Sequence, residues 1–208
     1  MTANKKSNQP TAKSAGTARR LTGIAMLSAV AFALQFLEFP IPVMPAFIKL
    51  DFSDLPELLA AFAYGPLAGV AVAAVKNLIH LPLSSSMYVG ELSNFLLGAV
   101  LSVTAGAVYK KHKTKKGALL AAGLAALLMG LVSVPVNYWI IYPLYYSVLG
   151  FPEAAVLDMY QAILPATKSI LQALVIFNLP FTAAKGLLCA ALCAGIYKPL
   201  SPLLHGKR

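Results

Sequence analysis

Long apolar runs separated by short polar or proline-bearing breaks dominate the chain. The first covers residues 21–39, about 19 positions and enough to cross a bilayer core as a helix. Pro40, Pro42 and Pro45 in the loop that follows cannot continue it. Ser53 or Asp54 can cap a second helix over 54–64, with Pro56 in its first turn and Gly65-Pro66 ending it. Further runs predict helices over 67–81, 91–109, 117–146 with a bend at Pro135, and 167–197 with Pro180 inside. The second and third are short for spanning. They either stay buried among longer neighbours or form a less regular pair. No internal repeat is visible, which argues against a transporter built from inverted halves. The pattern predicts an all-α polytopic membrane protein with a six-helix domain over 19–199.

Composition sharpens this reading. The 208 residues are 59% hydrophobic and only 12% charged, against roughly 25% charged for a soluble domain. So little charge cannot cover a water-facing surface, and most of the chain belongs in lipid. The net charge of +10 does not indicate nucleic acid, because the cations flank apolar runs instead of tracking a stripe. They fall at Lys5, Lys6, Lys13, Arg19 and Arg20, then Lys110, Lys111, Lys113, Lys115 and Lys116, then Lys198, Lys207 and Arg208. Six spans put all three clusters on one side and the acids at or near the other. Both termini are then cytoplasmic in the cell membrane, whereas five or seven spans would split the clusters. Residues 1–18 are polar and basic, predicting a disordered cytoplasmic tail, and 200–208 form a second tail. The run after Arg20 has no cleavage pattern and is expected to be retained as a helix. Cys189 and Cys193, four apart, suit small apolar helix positions better than a disulfide or a metal site.

Polar groups inside a membrane each need a reason. Asn178, Thr182 and Lys185 stand at i, i+4 and i+7, on one face of the last helix. An ammonium near mid-depth needs partners, and a structural ion pair or snorkelling competes with a lined ligand site. Asn137 lies deeper than Tyr145 and Tyr146, whose simplest role is an interfacial aromatic belt. Lys76 and Glu91 can form an ion pair between helices, and Asn94 stands one turn beyond Glu91. Amides, a buried cation and flat aromatic walls suit a planar ligand with a hydrogen-bonding tail. Catalytic motifs are missing, and so is a Walker lysine loop, which excludes ATP use by this chain.

Five segments carry a resemblance: 47–56 (FIKLDFSDLP), 65–69 (GPLAG), 75–81 (VKNLIHL), 90–95 (GELSNF) and 178–186 (NLPFTAAKG). Together they make the chain, from about 21 to 197, resemble the riboflavin-specific substrate-binding (S) components of energy-coupling factor (ECF) vitamin transporters. The resemblance implies a six-helix S-component fold and a non-enzymatic subunit that captures riboflavin outside the cell. It also implies partners, namely a transmembrane coupling protein and two ATPase subunits. Riboflavin is then a transported ligand, and no cofactor is expected. Asn137, Thr182 and Lys185 resemble the polar contacts to the flavin and its ribityl chain. Some relatives carry Asn where Thr182 stands, which brings Asn178 in as a substitute. Lys49 and Asp51, in the first outer loop, are expected to shape a lid. Ala25, Ala29 and Ala33 resemble the small-residue face that docks the coupling protein, with packing inside the bundle as the alternative. An S component for another vitamin or planar heterocycle would have the same scaffold.

Overall fold

The computed structural model describes residues 12–205 except 85 and 87. Helix α1 (Ala12–Phe36) turns Leu27, Ser28, Ala31 and Gln35 inward at one-turn spacing. Its start at Ala12 makes residues 12–18 of the expected tail helical, while 1–11 lie outside the described residues. Strands β1 (Phe39–Pro40) and β2 (Lys49–Leu50) then pair antiparallel, Phe39 opposite Leu50, and close the following loop into a short hairpin. The prolines that stop α1 leave this segment extended, and the Lys49–Glu38 ion pair ties its two arms.

Helix α2 (Asp54–Tyr64) has the predicted bounds. Its 11 residues rise only about 16 Å, roughly half a hydrocarbon core. It is buried along most of its length and touches α1, α3, α4 and α9. Ser53 precedes it in helical geometry and makes no side-chain cap, because its hydroxyl accepts from Lys76 instead. Gly65, at φ 97°, turns the chain into α3 (Pro66–His80), and a 3₁₀ turn (Leu81–Leu83) follows. Helix α4 (Val89–Lys111) leads by a short basic loop to α5 (Lys115–Val136), where Thr114 caps the Gly117 N–H.

Two long helical runs contain π-turns. The first is α5, a π-turn (Asn137–Ile141) and α6 (Tyr142–Val148); the second is α8 (Ile170–Ala173), a π-turn (Leu174–Asn178) and α9 (Leu179–His205). Pro135 stands two residues before the first π-turn and Pro180 two after the second, where each missing N–H breaks the regular ladder. Between the runs lies α7 (Glu153–Gln161), a short helix not predicted from the sequence. Helix α9 reaches His205, so 200–205 continue a helix where a tail was expected, and 206–208 lie outside the described residues.

Small residues set the closest helix approach. A Cβ on Gly130 would lie 2.8 Å from the Ala183 Cβ, and one on Gly186 would lie 2.8 Å from the Ala126 Cβ, so α5 and α9 touch nearly backbone to backbone. The outside of the bundle is apolar: Leu119, Leu127 and Leu131 of α5 and Leu187, Leu188 and Leu192 of α9 are exposed. The inside carries buried ionic and amide groups. That inversion is what lipid as solvent requires. Among the described residues, five helical stretches are long and apolar enough to cross a membrane: Gly16–Phe36, Pro66–Leu83, Val89–Lys111, Lys115–Val148 and Ile170–Tyr197. The sixth predicted span is α2, which is too short to cross alone.

Candidate binding site

A cleft lies between the first hairpin loop, the start of α4 and both π-turns. All seven polar side chains expected at the site line it: Lys49, Asp51, Asn94, Asn137, Asn178, Thr182 and Lys185. The last three share the cleft because their i, i+4, i+7 spacing keeps them on one face of a helix that stays regular from Leu179. Asn137 opens the first π-turn and Asn178 closes the second, and both side chains are buried at the cleft.

Beneath the cleft runs a buried ionic network. Lys185 Nζ lies 2.8 Å from Asp51 Oδ2 and 3.4 Å from Asp54 Oδ2. Lys76 Nζ lies 2.6 Å from Glu57 Oε1 and 3.3 Å from Asp54 Oδ1, and also donates to Ser53 Oγ. Asp54 therefore bridges two lysines from different helices. Burial alone would raise the Asp51 carboxyl, but Lys185 and then Lys76 more than offset it and hold it at about 2. Asp51 thus clamps the loop to α9 and does more than shape a lid.

Lys76 does not pair with Glu91, contrary to the sequence expectation. Glu91 Oε1 lies 2.8 Å from His80 Nδ1, and its Oε2 accepts from Ser84 Oγ at 2.7 Å. His80 and Glu91 are nearer partners because α3 ends beside the start of α4, while Lys76 sits one turn deeper, facing α2.

Tyr145 also departs from expectation. It is buried, with its ring 5.5 Å from Phe47, and lines the cleft instead of forming a belt. Phe47 meets Tyr142 and Tyr160 edge-on as well, which roofs the cleft with rings. Tyr160, brought in by α7, donates to Asn178 Oδ1 at 2.6 Å and pairs with the Tyr142 hydroxyl, while Asn178 Nδ2 reaches Tyr142 at 3.3 Å. Sequence reasoning gave no role to Tyr160, Phe47 or Gln35, which donates to Asn77 at 3.1 Å beside the cleft. Exposed aromatics of belt type are instead Tyr138 and Trp139.

Asn137 and Thr182 are both buried and line the cleft, and among the described residues neither side chain has a hydrogen-bond partner. Their polar atoms are free to meet a ligand in the cleft, and Gln35 Oε1, also in its lining, is buried without a partner among the described residues. Such groups facing a ring-walled cleft define a membrane-embedded small-molecule binder. No group of His, Cys, Asp and Glu able to hold a metal occurs among the described residues, and Cys189 and Cys193 are free and buried.

That class has a family. Residues 19–197 match the family described as ECF transporter, substrate-specific component, and the chain belongs to it. It is 36% identical over 187 residues to the riboflavin transporter RibU of Staphylococcus aureus (strain TCH60), an alignment covering 89% of this chain and 92% of that one. It is 33% identical over 193 residues to the riboflavin transporter FmnP of Bacillus subtilis (strain 168), covering 91% and 96%. A solved structure described as the S component of a bacterial ECF transporter superposes with a TM-score of 0.71 at 36% identity, covering 92% of this chain and 99% of that one. Ala25, Ala29 and Ala33 are exposed on α1, opposite its inward stripe, so they do not pack inside the bundle.

Proposed function

We propose that this chain is the riboflavin-binding subunit of an ECF transporter and captures the vitamin outside the cell for uptake driven by ATP hydrolysis in partner subunits. The observation that carries the reading is the pair of unpartnered buried side chains, Asn137 and Thr182, in a cleft roofed by Phe47 and Tyr145. A flat heterocycle stacks under such rings, and a polyol chain supplies the donors and acceptors that the amide and hydroxyl lack. Lys185, already shared by Asp51 and Asp54, adds a directed ammonium at the cleft floor. Two relatives of similar length are named riboflavin transporters, which favours a flavin over other planar ligands.

The remaining parts follow from the same reading. The basic clusters at 19–20 and 110–116, set at the end of the bundle away from the cleft, support a six-helix arrangement with both termini cytoplasmic and the cleft mouth outside. Ala25, Ala29 and Ala33 offer a small-residue face to a helix of the coupling protein, which joins two ATPase subunits. The competing reading is an S component for a different vitamin. Chain purified from cells grown with excess riboflavin should carry a visible flavin absorbance near one per protein. A colourless preparation that acquires another vitamin from the medium would support the competitor.

A further inference from the structure

At the end of the bundle away from the binding cleft, a second cleft opens between the α2–α3 turn and the last turn of α4. Its floor is apolar, with Phe62 and Pro66, and Leu67 at its edge is 75% exposed. Three cations from separate segments line it: Arg20 of α1, Lys110 of α4 and Lys113 of the loop before α5.

Among the described residues, none of these three takes part in an ion pair. The acids that do form pairs are Glu38, Asp51, Asp54, Glu57 and Glu91, and the other two, Glu153 and Asp158, are on α7. Helix-dipole compensation accounts for Lys110 in the last turn of α4, but not for Arg20 within α1 or Lys113 in a loop. The cleft sits where the apolar stretches Val89–Lys111 and Pro66–Leu83 reach their ends, which is the level of lipid headgroups.

We propose that this cleft binds the phosphate headgroup of an anionic phospholipid, with Arg20, Lys110 and Lys113 around the phosphate and the glycerol and first acyl carbons against Phe62, Pro66 and Leu67. Basic pockets between transmembrane helices at a membrane face recognise lipid phosphates by this chemistry. A soluble phosphate would use the rim and leave the apolar floor idle, which is why a lipid is the better occupant. The inference does not depend on which ligand occupies the opposite cleft.

The test uses native mass spectrometry of the full-length chain in detergent with added phosphatidylglycerol or phosphatidylcholine. One variant combines Arg20→Gln, Lys110→Gln and Lys113→Gln. A control removes equal charge outside the cleft with Lys111→Gln, Lys115→Gln and Lys116→Gln. Each cation near a lipid surface contributes enough that losing three should weaken phosphatidylglycerol retention about a hundredfold. The control should retain it within about threefold of the unaltered chain, and phosphatidylcholine should bind all three proteins equally. Thermal unfolding in phosphatidylcholine checks that both variants are folded. Equal loss in the two variants would reduce the effect to diffuse charge and overturn the proposal, as would full retention by the cleft variant. Displacement of phosphatidylglycerol by millimolar glycerol phosphate would assign the cleft to a soluble phosphate and overturn the lipid.

Discussion

Lys185→Met keeps most of the side chain's length and deletes the ammonium that lies 2.8 Å from Asp51 and 3.4 Å from Asp54. Asp51, Asp54 and Glu57 would then face Lys76 alone, all of them buried. Removing one partner of a buried ion pair costs about 3–5 kcal/mol. At roughly 2–4 °C per kcal/mol for a chain of this size, the unfolding midpoint should fall by about 6–20 °C. The two cysteines suit the assay, because both lie buried on α9, the helix that carries Lys185. A thiol-reactive dye therefore stays dark until that helix opens. Adding Asp51→Asn removes the stranded charge and should restore most of the midpoint. Riboflavin affinity should behave differently. A charge-assisted hydrogen bond contributes roughly 1.5–3 kcal/mol, so the double variant should remain tenfold or more weaker in binding. If Lys185→Met unfolds at the unaltered temperature, the ion pair is not what holds the loop to α9. If the double variant recovers both stability and affinity, Lys185 does not contact the ligand.

Cysteines introduced at Lys113 and at Tyr88, both exposed, should label from opposite sides of intact cells, and labelling from one side would remove the six-span topology. Ala29→Trp, on the exposed face of α1, should abolish uptake in cells that hold the partner subunits while leaving riboflavin affinity of the isolated chain unchanged; normal uptake would clear that face of a docking role. Gly98→Ala should destabilise the chain by about 1–3 kcal/mol, because the new Cβ would press on the Glu57 carboxylate that Lys76 pins at 2.6 Å. Gly123→Ala, with nothing within 4 Å of its Cβ, should cost nothing in the same thermal assay.

What was legible in the sequence were features carried by local spacing. The bounds of α2 follow from Pro56, Gly65 and Pro66, and the shared face of Asn178, Thr182 and Lys185 follows from helical period alone. Partner choice was not legible. Lys76 has acids available on α2 and α4, and only the packing of α3 against both assigns it to Asp54 and Glu57 while His80 takes Glu91. The π-turns escaped for a similar reason. Pro135 and Pro180 mark where a helix can bend, but they do not fix the π-turns that Asn137 opens and Asn178 closes. Helix α7 did leave a trace, since Pro152 followed by Glu153 is a helix start. Its single contribution to the site, Tyr160, could not be placed without the chain folding back across the cleft.

A flavin among Asn137, Thr182 and the Phe47–Tyr145 rings should be bound by this chain without help from the partner subunits. Titration of the purified chain with riboflavin in nucleotide-free buffer, followed by quenching of flavin fluorescence, tests it directly. Saturation at one flavin per chain is predicted, with affinity about tenfold weaker for Asn137→Leu and again for Thr182→Val. No saturable quenching by the folded chain, or the same affinity in both variants, would contradict it.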